Sequence, residues 1–290
     1  MTDALGRPEP DADDAAAERE RLRQEVRELR AKVRSRALIA QAQGVLTERY
    51  RLRGPEAAFA LMQQASQRFN IKLRTVAEAV LTFPRPEPGR ALWFPGRTRR
   101  GAPPLDMLGL DGAGRAHHSE VLSAVLTQTL AITNTPMGNV QLADRAERAL
   151  RIEKHTGLSA DFVDFFAVVG DQGTSCAKAA AELAQTTVHD VATDPVFTSA
   201  ARQAILEAGS RACHSVPLVT AEGTCVGMVS AHLERPIQDL HPAQLKALEQ
   251  TGQQAGAWLA WHRRTIVADA LEHLHAIARD PAAIPETRRP

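Results

Sequence analysis

Aromatic residues make up only 4% of the 290-residue chain, with a single tyrosine, so its cores must be built from Ala, Leu and Val. No uninterrupted apolar run approaches the ~20 residues needed to cross a bilayer. The start, MTDALGRPEPDADD, is acidic and has no apolar stretch, so it does not read as a secretory signal. Cysteine is scarce. Cys176, Cys213 and Cys225 form an odd set without a CxxC, which favours reduced thiols and a cytoplasmic protein over a disulfide framework. The phosphate-cradling GxxxxGK[ST] and the GxSxG elbow are both missing, and so is any metal-loop spacing such as HExxH.

What is present is a partition of charge. The formal net charge is +1, but residues 18–82 carry net +7 and residues 119–290 net −5. A basic excess gathered in one segment suggests a polyanion such as nucleic acid, or else a solvated charged helix.

Residues 1–14 are polar, acidic and contain Pro8 and Pro10, and are expected to be a disordered tail. From about Ala15 the pattern is helical. Leu22, Val26, Leu29 and Val33 step by 4, 3 and 4, the a/d seam of a coiled coil, with Arg and Glu elsewhere. One long helix is predicted to reach about Arg49, and a lone seam of this kind calls for a second copy of the chain or else packs back on its own chain. Gly54-Pro55 punctuates the pattern, since Pro suits the first position of a helix. The helix at about Pro55–Phe69 places Ala58, Leu61, Met62, Ala65 and Phe69 on one face, and a third helix spans about Leu73–Leu81. Residues 83–118 hold six prolines and six glycines and read as an interdomain linker.

Residues 119–265 read as α+β. Helices are expected at Ser119–Ala131, Ala160–Val169, Cys176–Leu183, Pro195–Gly209 and Pro242–Arg264. Strands are expected at Asn139–Asp144, Ala149–His155, Thr186–Val191, Arg211–Thr220 and Thr224–Glu234, with a hairpin turn at Ala221-Glu222-Gly223. Residues 266–290 are expected to hold the end of the last helix and a disordered tail.

Ile39–Leu81 resembles the ANTAR family. The resemblance is carried by Ile39, Ala42, Gly44, Val45, Leu46, Ala58, Phe59, Met62, Ala65, Asn70, Leu73, Val76 and Ala77. Read as packing, Ala42 and Gly44 let a neighbouring helix approach, and Phe59 and Met62 fill the centre of a three-helix bundle. The resemblance implies binding to RNA stem-loops in leader transcripts and antitermination of transcription, by a homodimer held through a coiled coil. Cations that contact phosphate would supply most of the affinity. The candidates are Arg34, Arg36, Arg49, Arg68, Lys72 and Arg74, with Gln43 as a polar base reader and Tyr50 as a stacking or structural residue. Gln43 stands where the family often has a basic residue.

Residues 119–265 resemble a GAF domain, an antiparallel sheet flanked by helices that serves as a sensor or a dimerisation module. The residues carrying this are Gly173, Ala177, Val188, Asp190, Val191, the Ser215-Val216-Pro217-Leu218 run, Val226, Gly227, Met228 and Ser230. ANTAR modules usually follow their sensor; here the order is reversed. Cys176, His189, Cys213 and His214 are the candidates for a small-molecule or redox role, although Cys213 and His214, adjacent in a strand, should face opposite sides. No cofactor is named by these residues, and no metal site is expected. Some GAF domains reduce free methionine sulfoxide with a cysteine near the position of Cys176. That chemistry needs a low-pKa thiolate and a resolving thiol, and Cys213 does not clearly match the family's second cysteine. The expectation is therefore a regulator and not an enzyme, with a protein–protein signalling adaptor or a redox or metal sensor as the alternatives.

Overall fold

The computed structural model describes residues 12–280. The two expected tails lie largely outside that range, except that the first helix already begins at Ala12. Helix α1 (Ala12–Tyr50) is a single 39-residue rod, followed by α2 (Pro55–Phe69) and α3 (Leu73–Thr82). Pro55 sits in the first turn of α2, and Asn70 ends that helix in the left-handed conformation with φ 49°. An Asn side chain tolerates this region at low cost. Leu22, Val26, Leu29 and Val33 remain exposed along α1.

Two residues of the expected bundle core lie elsewhere. Ala42, Leu46, Ala58, Leu61, Met62 and Ala65 are buried, but Phe59 is exposed and Gly44 faces open space, with nothing near the position a Cβ would take. The core is instead completed from the far end of the chain. After α8 (Pro242–His262) the backbone makes one π-helical turn, Arg263–Val267, and runs on as α9 (Ala268–Ala278). Val267, Ala270, Leu271, Leu274, Ile277 and Ala278 share a buried cluster with the N-terminal helices. The C-terminal segment is thus a fourth helix of the N-terminal bundle.

The linker also contributes to this core. Trp93 is buried in the cluster, and its indole N–H donates to the Pro84 carbonyl at 2.8 Å. The backbone N–H groups of Trp93 and Phe94 each donate to the Glu272 carboxylate of α9, both at 2.8 Å. The Pro/Gly content sets the linker's shape, but its two apolar rings fix it to the bundle.

The second domain opens with α4 (His118–Thr133). Its sheet is six-stranded and antiparallel, with strand order β3-β2-β1-β6-β5-β4. The strands are β1 (Met137–Asp144), β2 (Ala149–Thr156), β3 (Val168–Val169), β4 (Thr186–Val188), β5 (Ala212–Val219) and β6 (Cys225–Leu233). Helices α5 (Ala160–Phe165), α6 (Ser175–Glu182) and α7 (Ser199–Glu207) complete the set. The helix expected over Ala160–Val169 stops at Phe165, because Val168 and Val169 pair with Arg151 and Leu150 of β2. The other differences are of boundaries.

The alternation of strand residues divides the apolar side chains between two layers. Val140, Val216, Leu218 and Val229 pack with α4 and α8 on one face. Met137, Cys213 and Met228 pack with α5, α6 and α7 on the other. Helix α8 lies close on β5 through Gly252 and Gly256. A Cβ at these positions would stand 2.6 Å from the Pro217 carbonyl oxygen and 2.3 Å from that of Val219, so any side chain there would push the helix off the sheet.

Candidate nucleic-acid interface and sensor core

The cations expected to meet RNA fall into three situations. Arg36 and Arg68 are exposed, while the side chain of Arg34 lies outside the described residues. Gln43 and Arg49 are tethered at the bundle corner. The Gln43 amide donates to the Pro55 carbonyl at 2.9 Å, tying α1 to the start of α2. The Arg49 guanidinium lies 4.9 Å from the centre of the Trp93 ring, an arrangement that favours the cation through the ring quadrupole. Tyr50 is tied as well. Its ring packs near His275, and burial pushes its hydroxyl up to about 12.

Lys72 and Arg74 form the third group, and both are engaged by the other domain. Lys72 pairs with Glu153 of β2. Arg74, mostly buried, pairs with Asp144 at the end of β1 and lies 3.5 Å from Glu147 in the β1–β2 turn. Burial would raise the Asp144 carboxyl, but the Glu147 backbone N–H and the guanidinium groups of Arg74 and Arg151 outweigh it, so the group sits below its ordinary value. Two more pairs extend the seam along α1: Arg27 to Asp161 at 2.6 Å and Arg30 to Asp164 at 3.0 Å. Asn70 adds a polar contact, its amide 3.3 Å from His117 Nδ1. The basic module therefore meets the acidic one through at least four ion pairs. The net charges of the two segments gave a hint of this; the particular carboxylates gave none, because Asp144, Glu147 and Glu153 read as ordinary strand and turn residues.

Where these elements converge, α3, the β1–β2 hairpin and the π turn enclose a cavity of about 110 Å³. Glu78 lines it, and burial raises its carboxyl despite the nearby charges of Arg263 and Arg145. His118 and His262 also line it, with ring centres 5.2 Å apart. Burial lowers both, His262 to about 3.

In the sensor the four candidates do not form one site. Cys213 and His214 face opposite sides of β5, as alternation requires. His214 is bridged between Gln185 and Thr187, each at 2.8 Å, and burial lowers it to about 4. His189 is exposed and pairs with Asp239 at 2.8 Å. Only Cys176 and Cys213 come together, within a small polar cluster on the face covered by α6. Ser175 Oγ is 3.3 Å from Cys213 Sγ and 3.1 Å from Ser215 Oγ, and Cys176 Sγ is 3.2 Å from Ser230 Oγ. Burial raises the Cys176 thiol and pushes Cys213 up to about 12. Both thiols are thereby held protonated, the opposite of what a reactive thiolate needs. Sequence spacing did not reveal Asn139 and Gln141, buried on the same face, each with one amide oxygen that has no hydrogen-bond partner. Among the described residues no group of three or more His, Cys, Asp or Glu is placed to hold a metal ion.

Comparison with known families agrees with this division. Residues 27–81 match the ANTAR domain family and residues 118–259 match the GAF domain family. The chain therefore combines an N-terminal ANTAR domain with a C-terminal GAF domain. Both are regulatory domains: ANTAR points to RNA-binding antitermination regulation and GAF to sensing. No curated protein matches the chain.

Matching solved structures include a GAF domain/HD domain protein from Geobacter sulfurreducens, at 18% identity and TM-score 0.42, covering 53% of this chain and 95% of that one. Another is the GAF domain of an Acinetobacter phosphoenolpyruvate-protein phosphotransferase, at 13% identity and TM-score 0.44, covering 55% and 94%. A third is a type II free methionine-R-sulfoxide reductase from Thermoplasma acidophilum, at 11% identity and TM-score 0.37, covering 49% and 93%. Among the described residues no helix is long and apolar enough to cross a membrane.

Proposed function

We propose that the chain is a signal-responsive regulator of transcription termination that binds stem-loops in leader transcripts and acts as an antiterminator. The GAF domain serves as its sensor, and a small molecule is the signal. The working unit is a homodimer joined along the exposed Leu22–Val33 seam.

One observation supports regulation by the sensor. Lys72 and Arg74 already lie against GAF carboxylates. A phosphate backbone and these carboxylates compete for the same guanidinium and ammonium groups. In the arrangement seen, the sensor withholds part of the cationic surface, and Arg36 and Arg68 remain for a first contact. A signal that parts the seam returns Lys72 and Arg74 to RNA. The chain acts by binding, and no catalytic step is assigned to it; the protonated state of the partly buried Cys176 and the buried Cys213 supports that reading.

The test is a gel-shift titration of the full chain with a two-stem-loop RNA and with an unstructured oligonucleotide, over a range of salt. The reading expects preference for the stem-loops and a steep fall of affinity with salt, as counterion release requires. Equal affinity for both RNAs, or a flat salt response, sinks it. The adaptor reading would then take its place, with the exposed seam recruiting a partner protein and the paired cations serving only the domain interface.

A further inference from the structure

A second groove lies at the domain junction, with a volume of about 310 Å³. Four segments meet there: the end of α3 with Thr82, the β1–β2 turn with Arg145, the β5–β6 turn with Thr220 and Thr224, and the π turn with Arg263 and Arg264. Three arginines thus line one opening, and no Asp or Glu is among its lining residues. We propose that this groove is an anion site that takes a small phosphate-bearing solute, clasped between the ANTAR and GAF domains.

The arginines are held ready for such a guest. Arg263 donates through Nη2 to the Thr82 hydroxyl at 3.0 Å, and its guanidinium stacks 4.2 Å from the centre of the Phe83 ring. These contacts fix the plane of the fork without supplying a counter-ion. Arg264 is steadied by an ion pair with Glu222 of the β5–β6 turn, outside the lining, at 3.1 Å. Arg145 has no ion-pair partner among the described residues, although it stands near enough to Arg263 for their charges to interact. Burial, and then the charge of Arg145, lowers Arg263 to about 10, a sign that cation is crowded on cation. Two acidic groups offset them: Glu222 pairs with Arg264, and Glu78, near Arg263 and Arg145, is drawn toward its neutral form by burial.

The ligand class follows from this geometry. A carboxylate presents two oxygens and suits one fork, whereas a phosphoryl group presents three and can meet three cations from different directions. The Thr224 hydroxyl, exposed at the rim, adds a neutral donor. A free solute is favoured over an RNA backbone because the walls belong to both domains, and a duplex would have to part them to bring a phosphate to the largely buried Arg263. A ligand that touches both walls stabilises the joined arrangement by mass action. The site thus differs from the sensor core, and its existence does not depend on the RNA-binding reading.

The test is isothermal titration of the full chain with inorganic phosphate and, separately, with adenosine monophosphate, at ionic strength held constant with chloride. Saturable binding of either probe is expected, weakened about tenfold or more in Arg145→Gln and in Arg263→Gln. Arg145 is exposed in a turn, so its variant retains the fold, and circular dichroism checks the other. Phosphate also stabilises proteins by exclusion from their surface, which is why the variants and not a melting shift decide the matter. Absence of saturable binding for both probes overturns the proposal, as does equal binding by wild type and Arg145→Gln. Displacement of bound phosphate by a stem-loop RNA reassigns the groove to the RNA backbone and also overturns it.

Discussion

The Tyr50 hydroxyl lies 2.7 Å from Nδ1 of His275, joining the last turn of the first helix to the last helix across 225 positions of sequence. The Nε2 side of the same ring meets the Arg90 carbonyl at 3.1 Å. A carbonyl can only accept, so Nε2 carries the proton and Nδ1 accepts from the phenol. One imidazole thereby links the α1 end, the linker and α9. Tyr50→Phe removes one partner and leaves Nδ1 unsatisfied, at a cost of about 1–2 kcal/mol. Urea denaturation would show this as a lower midpoint with an unchanged slope.

If the sensor withholds Lys72 and Arg74, neutralising its carboxylates should release them. The double variant Asp144→Asn with Glu153→Gln is expected to bind a stem-loop RNA several-fold more tightly than wild type, corresponding to roughly 1–2 kcal/mol of interdomain coupling. Gel-shift affinities at one fixed salt concentration measure it. Unchanged or weaker binding would show that these pairs do not compete with RNA.

The exposed seam should govern assembly. Val26→Asp and Leu29→Asp each place a charge at a position that a second copy would bury. Sedimentation is expected to report a dimer for wild type and a monomer for each variant, with the circular dichroism of the folded domains retained. A dimer that survives both changes would locate the interface elsewhere.

Histidines lowered by burial shape the response to acid, and three of them are lowered to about 3–4. Burial lowers His214 and His232 to about 4 and His262 to about 3. An unfolded histidine titrates near 6.5. Above that pH both states are neutral and the native contribution is whole. Below it the unfolded chain takes up protons that the native chain refuses, so stability falls as pH drops toward 4. The slope is roughly 1.4 kcal/mol per pH unit for each histidine that remains neutral in the native state. Urea unfolding at about pH 7.5 and about pH 5.5 measures it, and an unchanged midpoint would contradict the burial of these rings.

The thiols offer a parallel check. With Cys213 pushed up to about 12 and Cys176 raised as well, neither should react with iodoacetamide in the native state near neutral pH, and both should react in urea. Rapid native alkylation of Cys176 would reopen the redox reading.

Much of the fold was legible because it is local. Pro55 and Asn70 bracket α2 by backbone chemistry, and the Ala221-Glu222-Gly223 turn marks a hairpin whose strands alternate as expected. The stripe Val267, Ala270, Leu271, Leu274 and Ala278 also stood in the sequence at helical spacing, but periodicity states only that a face is buried, not against what. Its partner lies two hundred residues away, so α9 read as a trailing end. Phe59 and Gly44 failed for the same reason in reverse: their types suggest a core, yet their helical phase sets them off the buried stripes of Ala42 and Leu46 on α1 and of Ala58, Leu61, Met62 and Ala65 on α2. The ion-pair seam was invisible residue by residue, since a surface Asp or Glu on a strand looks alike whether it faces water or an arginine.

The wide turn at Arg263–Val267 is braced from outside its own ladder. Arg97 donates to the carbonyls of Arg264 and Thr265 at 2.9 and 3.4 Å. Such a turn holds one residue more than a regular coil, and each residue of an α-helix advances the direction of its side chain by about 100°. Leu271 and Leu274 therefore point where they do only because that surplus residue is present. Excising a single amino acid there would turn the apolar stripe of α9 away from the bundle, so the phase of this C-terminal helix sets which surface the N-terminal helices meet.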